Sequence, residues 1–233
     1  MPGWWVTNAL ESGGPPFLFA YIIWIIVSIT LHELAHGWAA VAKGDNTPIV
    51  TGHMTWNPVV HMGVPSLIMF AVTGMAWGLM PIDPTRLRGR YAEAWVAFAG
   101  PLMNFALAAL CIIGSVATVY AIPGGPGNLL KPDTMAGNIL LFFAFGCWLN
   151  IGLGLFNLLP APPLDGSRIV ACFSPQYRAM SMTSGGQFGG MVTIIIGFVL
   201  APKLVWQIGP WVWGQSVALI TSGLGAVGIS PTP

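Results

Sequence analysis

Four long apolar runs, residues 17–42, 92–122, 137–159 and 188–223, constrain this chain more than any other feature. A helix that crosses a bilayer needs about 20 predominantly apolar residues, and each run supplies that length. Charged residues make up only 6% of the 233 positions, against roughly 25% in a soluble domain. The expected fold is therefore an all-α polytopic membrane protein with about four to five transmembrane helices. Residues 1–16 carry no Lys or Arg, and the run that follows is too long for a signal-peptide core, so 17–42 is expected to stay in the mature protein. Pro, Gly and charge mark connections at 43–63, 81–90, 123–136 and 161–187. No repeat or polar block separates a second unit. The expectation is one domain over 1–233, with a catalytic core at about 17–172 and C-terminal membrane helices at about 188–223.

The net charge of +1 and the lack of basic runs give no reason to expect nucleic acid. Cys111, Cys147 and Cys172 are odd in number and widely spaced, and read as reduced thiols. Trp4, Trp5, Trp206, Trp211 and Trp213 lie near the ends of apolar runs, as interfacial anchors do. Within the first connection, "IVTGHMTW" alternates in a way that predicts a short strand. Residues 62–80 are apolar but broken by Gly63, Pro65, Gly74 and Gly78, which predicts a short re-entrant or β-hairpin segment rather than a simple span.

Ionisable side chains inside such runs are costly, at about 2.5–3.5 kcal/mol for a charge at the centre of a spanning helix, so they point to function. The first run holds "LHELAHGW", with His32, Glu33 and His36. Counting back from Lys43 puts His36 about 10 Å and His32 about 16 Å inside the helix end. Four residues apart, the two histidines share a helix face and can reach one cation, while the glutamate after the first histidine lies beside the metal's water. Zinc lowers the pKa of such a water to about 7, so a hydroxide nucleophile is available at neutral pH. The chemistry implied is metal-assisted hydrolysis with Glu33 as general base.

A catalytic zinc normally takes a third protein ligand and leaves one position open. Asp45, His53, His61, Asp83, Glu93, Asp133 and Asp165 are the candidates. Asp165 has the most telling context, "NIGLGLFNLLPAPPLDGSR", where an apolar helix runs into Pro160, Pro162 and Pro163 before the carboxylate. Proline frees backbone carbonyls, which is tolerated at membrane depth only where protein or a water-filled cavity receives them. A loop Asp capping a turn before Gly166 is the competing reading, and His61 is the rival third ligand.

The two stretches together resemble the site-2 protease family of intramembrane zinc metalloproteases, in its small prokaryotic branch without PDZ or CBS domains. "HELAH" matches the family's HExxH helix and "NLLPAPPLDG" its N-x-x-P-x-x-x-x-D-G segment. "AFAGPLMN" (97–104) looks like its A-G-P-x-x-N helix start, and "MTWNPVVH" (54–61) like its T-L-N-P-x-x-H loop. The resemblance covers about residues 22–172. It implies one Zn²⁺ per chain held by His32, His36 and Asp165, with Glu33 as base and Asn157 orienting the substrate or its oxyanion. His53, Asn57 and His61 are the loop residues expected to meet a substrate. His53 stands where the family has Arg, Met62 where an Asp often follows, and "LMPIDPTRLR" replaces a K-P-V-P-V-N type segment.

For His32, His36 and Asp165 to share one ion, all three must lie at one membrane depth. That requires 62–80 to dip in and return, so that 92–122 leads outward and 137–159 brings Asp165 back to the histidines. Lys43, Arg86, Arg88, Arg90, Arg168 and Arg178 then all lie inside, as the positive-inside rule asks, leaving Lys131 outside. The expected location is a prokaryotic inner membrane with the site toward the cytoplasm, and the expected partners are the lipid bilayer and a single-spanning membrane protein, of the anti-sigma-factor type or another regulator. A strand edge near 50–56 would offer backbone pairing to an unwound substrate. The competing function is a non-catalytic membrane protein that binds helices or moves metal ions or protons. Its conduction form needs a polar path to both faces, which the outer halves of these helices lack, and a non-cutting relative should lack Glu33.

Overall fold

The computed structural model describes residues 4–121 and 134–226. Eight α-helices follow in chain order among them. These are α1 (Trp5–Ala42), α2 (Thr47–Val50), α3 (Pro58–Thr73), α4 (Ala92–Ala121), α5 (Met135–Asn157), α6 (Asp165–Phe173), α7 (Pro175–Ser181) and α8 (Ser184–Ala226), with a 3₁₀ turn at Pro84–Arg86. The molecule is all-helical, as the apolar runs predict. Three helices, α1, α4 and α5, are long and apolar enough to cross a membrane, and the 43-residue α8 occupies the fourth apolar window. The connection carrying Lys131 and Asp133 lies outside the described residues, as does the side chain of Trp206.

The first helix begins twelve residues before the apolar run does. It is broken at Gly13 and at Gly14, whose φ of 68° suits only glycine. Pro15 and Pro16 then start the long segment without amide donors. Residues 5–12 thereby form a short helix set off from the long segment that follows. At the opposite end of the chain's second membrane helix pair, Thr134 caps α5 by accepting from the Gly137 amide at 3.0 Å.

The core lies where α1, α4 and α5 meet, with Phe17, Ala20 and Trp24 packed on Leu107, Ala108, Cys111, Phe145 and Cys147. Lipid tails are as apolar as these side chains, so close packing and hydrogen bonding hold such helices together more than exclusion from water does. Gly146 shows this directly, because a Cβ there would lie inside the indole of Trp24. Trp24 Nε1 in turn donates to the Phe142 carbonyl at 2.8 Å. The last helix joins through Trp213, whose Nε1 donates to Ser115 Oγ at 2.8 Å.

Residues 58–83 form a helical hairpin against α1. After α3 the chain turns at Gly74, with φ 76°, and comes back. The Leu79 amide donates to the His61 carbonyl, and Trp77 exchanges hydrogen bonds with Ser66 Oγ. Two residues of return thus match five of helix, about 7 Å either way, so the return is extended chain. Helix ends leave carbonyls without partners, a serious cost away from water. At this tip Trp5 Nε1 donates to Ala71 O and Trp4 Nε1 to Val72 O, both at 3.1 Å, and Tyr21 OH to Gly74 O at 3.0 Å. Trp4 and Trp5 therefore satisfy the carbonyls of this turn as well as sitting near a helix end.

Between α1 and this hairpin the structure corrects one expectation. The "IVTGHMTW" stretch is not a strand, and no strand occurs among the described residues. Asp45 accepts from the Thr47 amide and hydroxyl, Pro48 presets helical φ, and Gly52 turns the chain with φ 73°. Amides 49–53 are used in local bonds to residues 46–49, and that of Thr55 bonds the His53 carbonyl, so most donors of a β edge at 50–56 are already taken. Asp45 is wholly buried and also accepts from the Asp83 amide at 2.7 Å, which fastens the base of the hairpin to the end of α1. Burial opposes its ionised form, but the hydrogen bonds from Thr47 and Asp83 outweigh that and hold its carboxyl below the ordinary carboxylate value.

Candidate metal centre

His32 and His36 occupy successive turns of one α1 face with their Nε2 atoms 3.0 Å apart. Asp165 is the first residue of α6, just after α5 has ended and the prolines have turned the chain through Ala161 and Leu164. The glycine that follows it is required by packing, since a Cβ at Gly166 would strike the Leu158 and Leu159 carbonyls. Asp165 Oδ2 lies 3.1 Å from His32 Nε2 and 3.2 Å from His36 Nε2. Among the described residues these three form the group of His, Cys, Asp and Glu able to hold a metal ion.

Their geometry fits zinc on two counts. With bonds of about 2.0 Å in a tetrahedron, neighbouring ligand atoms stand about 3.3 Å apart, close to the 3.0–3.2 Å found here. The donors are also of the right kind. His36 Nδ1 lies 2.7 Å from the Val96 carbonyl, which can only accept, so the proton sits on Nδ1 and Nε2 is bare. His32 Nδ1 meets Asn104 Oδ1 at 2.6 Å in the same fashion. With both rings neutral, two bare ring nitrogens and a carboxylate oxygen converge, a donor set that suits a cation at their centre.

Glycines shape the surroundings. A Cβ on Gly100 of α4 would lie 2.5 Å from His32 Nε2 and closer still to His36 Nε2, so this helix passes directly over the ligand atoms. A Cβ on Gly78, in the extended return of the hairpin, would lie 2.6 Å from Glu33 Cγ and Oε1. The Glu33 side chain is buried, against that extended return.

The remaining predicted residues are distributed as follows. Asn157 stands on the last turn of α5 with its Nδ2 donating to the Leu153 carbonyl at 3.0 Å. Asn57 caps α3, accepting from the Val59 amide. His53 Nδ1 faces Thr51, and His61 is buried with its Nε2 donating to the Thr55 carbonyl at 2.7 Å. Neither joins the three-residue group, nor do Asp45, Asp83, which binds Arg86, and Glu93, which pairs with Arg178 at 2.7 Å. Sequence reading placed Asn104 and Gly100 only inside a family-like segment, and no charge or spacing signalled their nearness to His32.

A bundle of apolar helices that gathers a His, His, Asp set, with a buried glutamate next in sequence to one histidine, defines a membrane zinc metallopeptidase. The chain belongs to peptidase family M50, the site-2 protease family, whose model matches residues 20–201. Its relatives include several that bear the name "Putative zinc metalloprotease". YwhC of Bacillus subtilis is 35% identical over 192 residues, covering 78% of this chain and 84% of its own. Rip2 of Mycobacterium tuberculosis is 28% identical over 214 residues, covering 87% and 75%. The zinc metalloprotease MJ0392 of Methanocaldococcus jannaschii is 27% identical over 168 residues, covering 72% of this chain and 38% of its own. No solved structure matches the chain.

Proposed function

We propose that this zinc metallopeptidase is an endopeptidase that cuts peptide bonds in or near the transmembrane segments of other membrane proteins, as in regulated intramembrane proteolysis. The observation that carries the reading is the convergence of His32, His36 and Asp165 beside a buried Glu33, with both histidines and the glutamate on a helix that has the length and composition of a membrane span. One zinc ion per chain, bound by those three side chains, supplies the Lewis acidity that makes water deprotonable near neutral pH.

Glu33 takes the proton of the attacking water and passes it to the departing amine, a role suited to a carboxylate one residue from a ligand. His36, steadied by Val96, and His32, steadied by Asn104, keep their Nε2 atoms aimed inward. Asn157 orients the substrate or the developing oxyanion from the end of α5. His53, Asn57 and His61 line the approach around the base of the hairpin, and the extended residues 75–83 offer backbone beside Glu33 to an unwound peptide. Substrates are single-spanning proteins with helix-breaking sequence near the cut, since a helix hides its carbonyls in its own ladder. The enzyme works in a prokaryotic inner membrane with the site toward the cytoplasm.

The test uses purified protein in lipid nanodiscs with a panel of single-spanning substrates, with and without a zinc chelator. Glu33→Gln is expected to hold about one zinc per chain and to lose at least about 100-fold in turnover. Full turnover in that variant, or cleavage by wild type unaffected by the chelator, would falsify the assignment.

A further inference from the structure

We propose that Asn150 is a positioning residue for the metal centre, acting through Asn104 to hold His32 in the one tautomer that can bind zinc. Asn150 lies on α5, wholly buried, and touches neither the three ligand residues nor Glu33 through any hydrogen bond. Its Nδ2 donates to the Gly146 carbonyl at 2.8 Å, and its Oδ1 accepts from Asn104 Nδ2 at 3.0 Å. Asn104, also wholly buried, presents its Oδ1 to His32 Nδ1 at 2.6 Å.

A side-chain amide can in principle be turned end for end, exchanging oxygen for nitrogen. Here the chain of contacts removes that freedom. The Gly146 carbonyl can only accept, so the end of Asn150 that faces it is the NH₂ group. The oxygen of Asn150 then faces Asn104 and requires a donor, so Asn104 presents its NH₂ group to Asn150 and its oxygen to His32. That oxygen requires a donor in turn, so the proton of the neutral imidazole sits on Nδ1 and the lone pair of Nε2 points at Asp165 and His36. One backbone carbonyl on α5 thus dictates, through two neutral amides, which nitrogen of a histidine on α1 is free. Neutral amides suit the task in an apolar core, where every member of the relay is satisfied and no charge need be buried. The contrast with His36 is instructive, because its tautomer is set in a single step by the Val96 carbonyl.

The proposal rests on His32 being a zinc ligand, and its test separates the two ideas. Full-length protein labelled with ¹⁵N-histidine in detergent micelles has only four histidines to assign. In the metal-free state the ¹⁵N shifts report which ring nitrogen of His32 carries the proton, without reference to activity. Zinc affinity is measured in parallel by competition with a chromophoric chelator. Wild type is expected to show the Nδ1–H form of His32. Asn150→Leu, of similar volume but with no acceptor for Asn104, is expected to show a mixture of both tautomers and a zinc affinity lower by roughly 10–100-fold, the usual effect of removing an outer partner of a histidine ligand. Asn150→Ala serves if the leucine variant does not fold. Leu140→Ala, a core truncation in the same helix, should lower thermal stability and leave tautomer and affinity alone. A pure Nδ1–H His32 in the folded Asn150 variants overturns the relay, whatever happens to affinity. A wild-type protein that binds zinc equally well after His32→Ala overturns the ligand set instead.

Discussion

Placing a single methyl group at Gly100 should separate metal binding from folding more cleanly than removing a ligand. In a helix interior Gly→Ala is worth about 0.5–1 kcal/mol in favour of the helix. The new Cβ, however, would lie 2.5 Å from His32 Nε2 and 2.6 Å from His32 Cε1, where contacts under 3.0 Å essentially never occur. The ring must therefore retreat by about half an ångström merely to be tolerated, while metal–ligand distances allow about ±0.2 Å. His32 and His36 have little room to follow, since their other nitrogens are held by Asn104 and the Val96 carbonyl. Gly100→Ala is expected to lower zinc affinity by more than about 100-fold, beyond the usual cost of disturbing an outer partner. Without metal the rings need no exact geometry and can tilt by the few tenths of an ångström required while keeping these bonds, so the melting temperature in chelator should stay within about 3 °C of wild type, the scale that 1 kcal/mol sets in a protein of this size. Zinc content after dialysis, by elemental analysis, and melting with and without chelator provide the assay. A Gly100→Ala protein that keeps one zinc per chain within fivefold of wild-type affinity would refute the placement of this glycine over the ligand atoms.

Gly78→Ala is the complementary case, because its methyl group meets Glu33 and none of the three ligand residues; zinc should be retained while turnover falls at least about 100-fold, measured on the same substrates. Asp45→Asn removes a buried carboxylate whose folded-state pKa is depressed. Its contribution to stability is fully present above the unfolded-state value of about 3.9 and is lost as pH falls through the folded value. The wild-type melting temperature should therefore exceed that of Asp45→Asn at pH 6 and converge on it in strong acid, and a constant gap over that range would contradict this. For topology, single cysteines at Gly44 and Thr85, in a background lacking Cys111, Cys147 and Cys172, should react with an impermeant thiol reagent from the same side. Opposite sides would mean that the 58–83 hairpin crosses the membrane.

The long helices were legible because their physical cause is local, a run of apolar residues of the right length. The histidine pair was legible for the same reason, since a four-residue spacing fixes a shared face. Asp165 could be singled out because three prolines break a helix before it, though its distance to the histidines depends on how α5 packs. Other features failed where tertiary context overrode local pattern. The β-branched alternation at 49–56 lost to a side-chain turn at Asp45, a proline at the helix start and a positive-φ glycine. The helix over residues 5–12 was overlooked because hydropathy alone set the expected start at 17. Asn104 and Asn150 carry no charge and sit 46 residues apart, so nothing in either neighbourhood announces that they touch.

The hairpin also sets how far Glu33 lies from the outside of the molecule. On one side the glutamate is covered by the extended return at Gly78, which contributes no side chain, and its neighbours Trp77 and Leu79 are 48% and 67% exposed. The partition above Glu33 is thus a single backbone thick there, about 5 Å by the ordinary spacing of neighbouring chains, whereas α4, whose Gly100 passes over His32 and His36, is a whole helix about 10 Å across. A polypeptide lying alongside this face would be separated from Glu33 by one extended segment of chain.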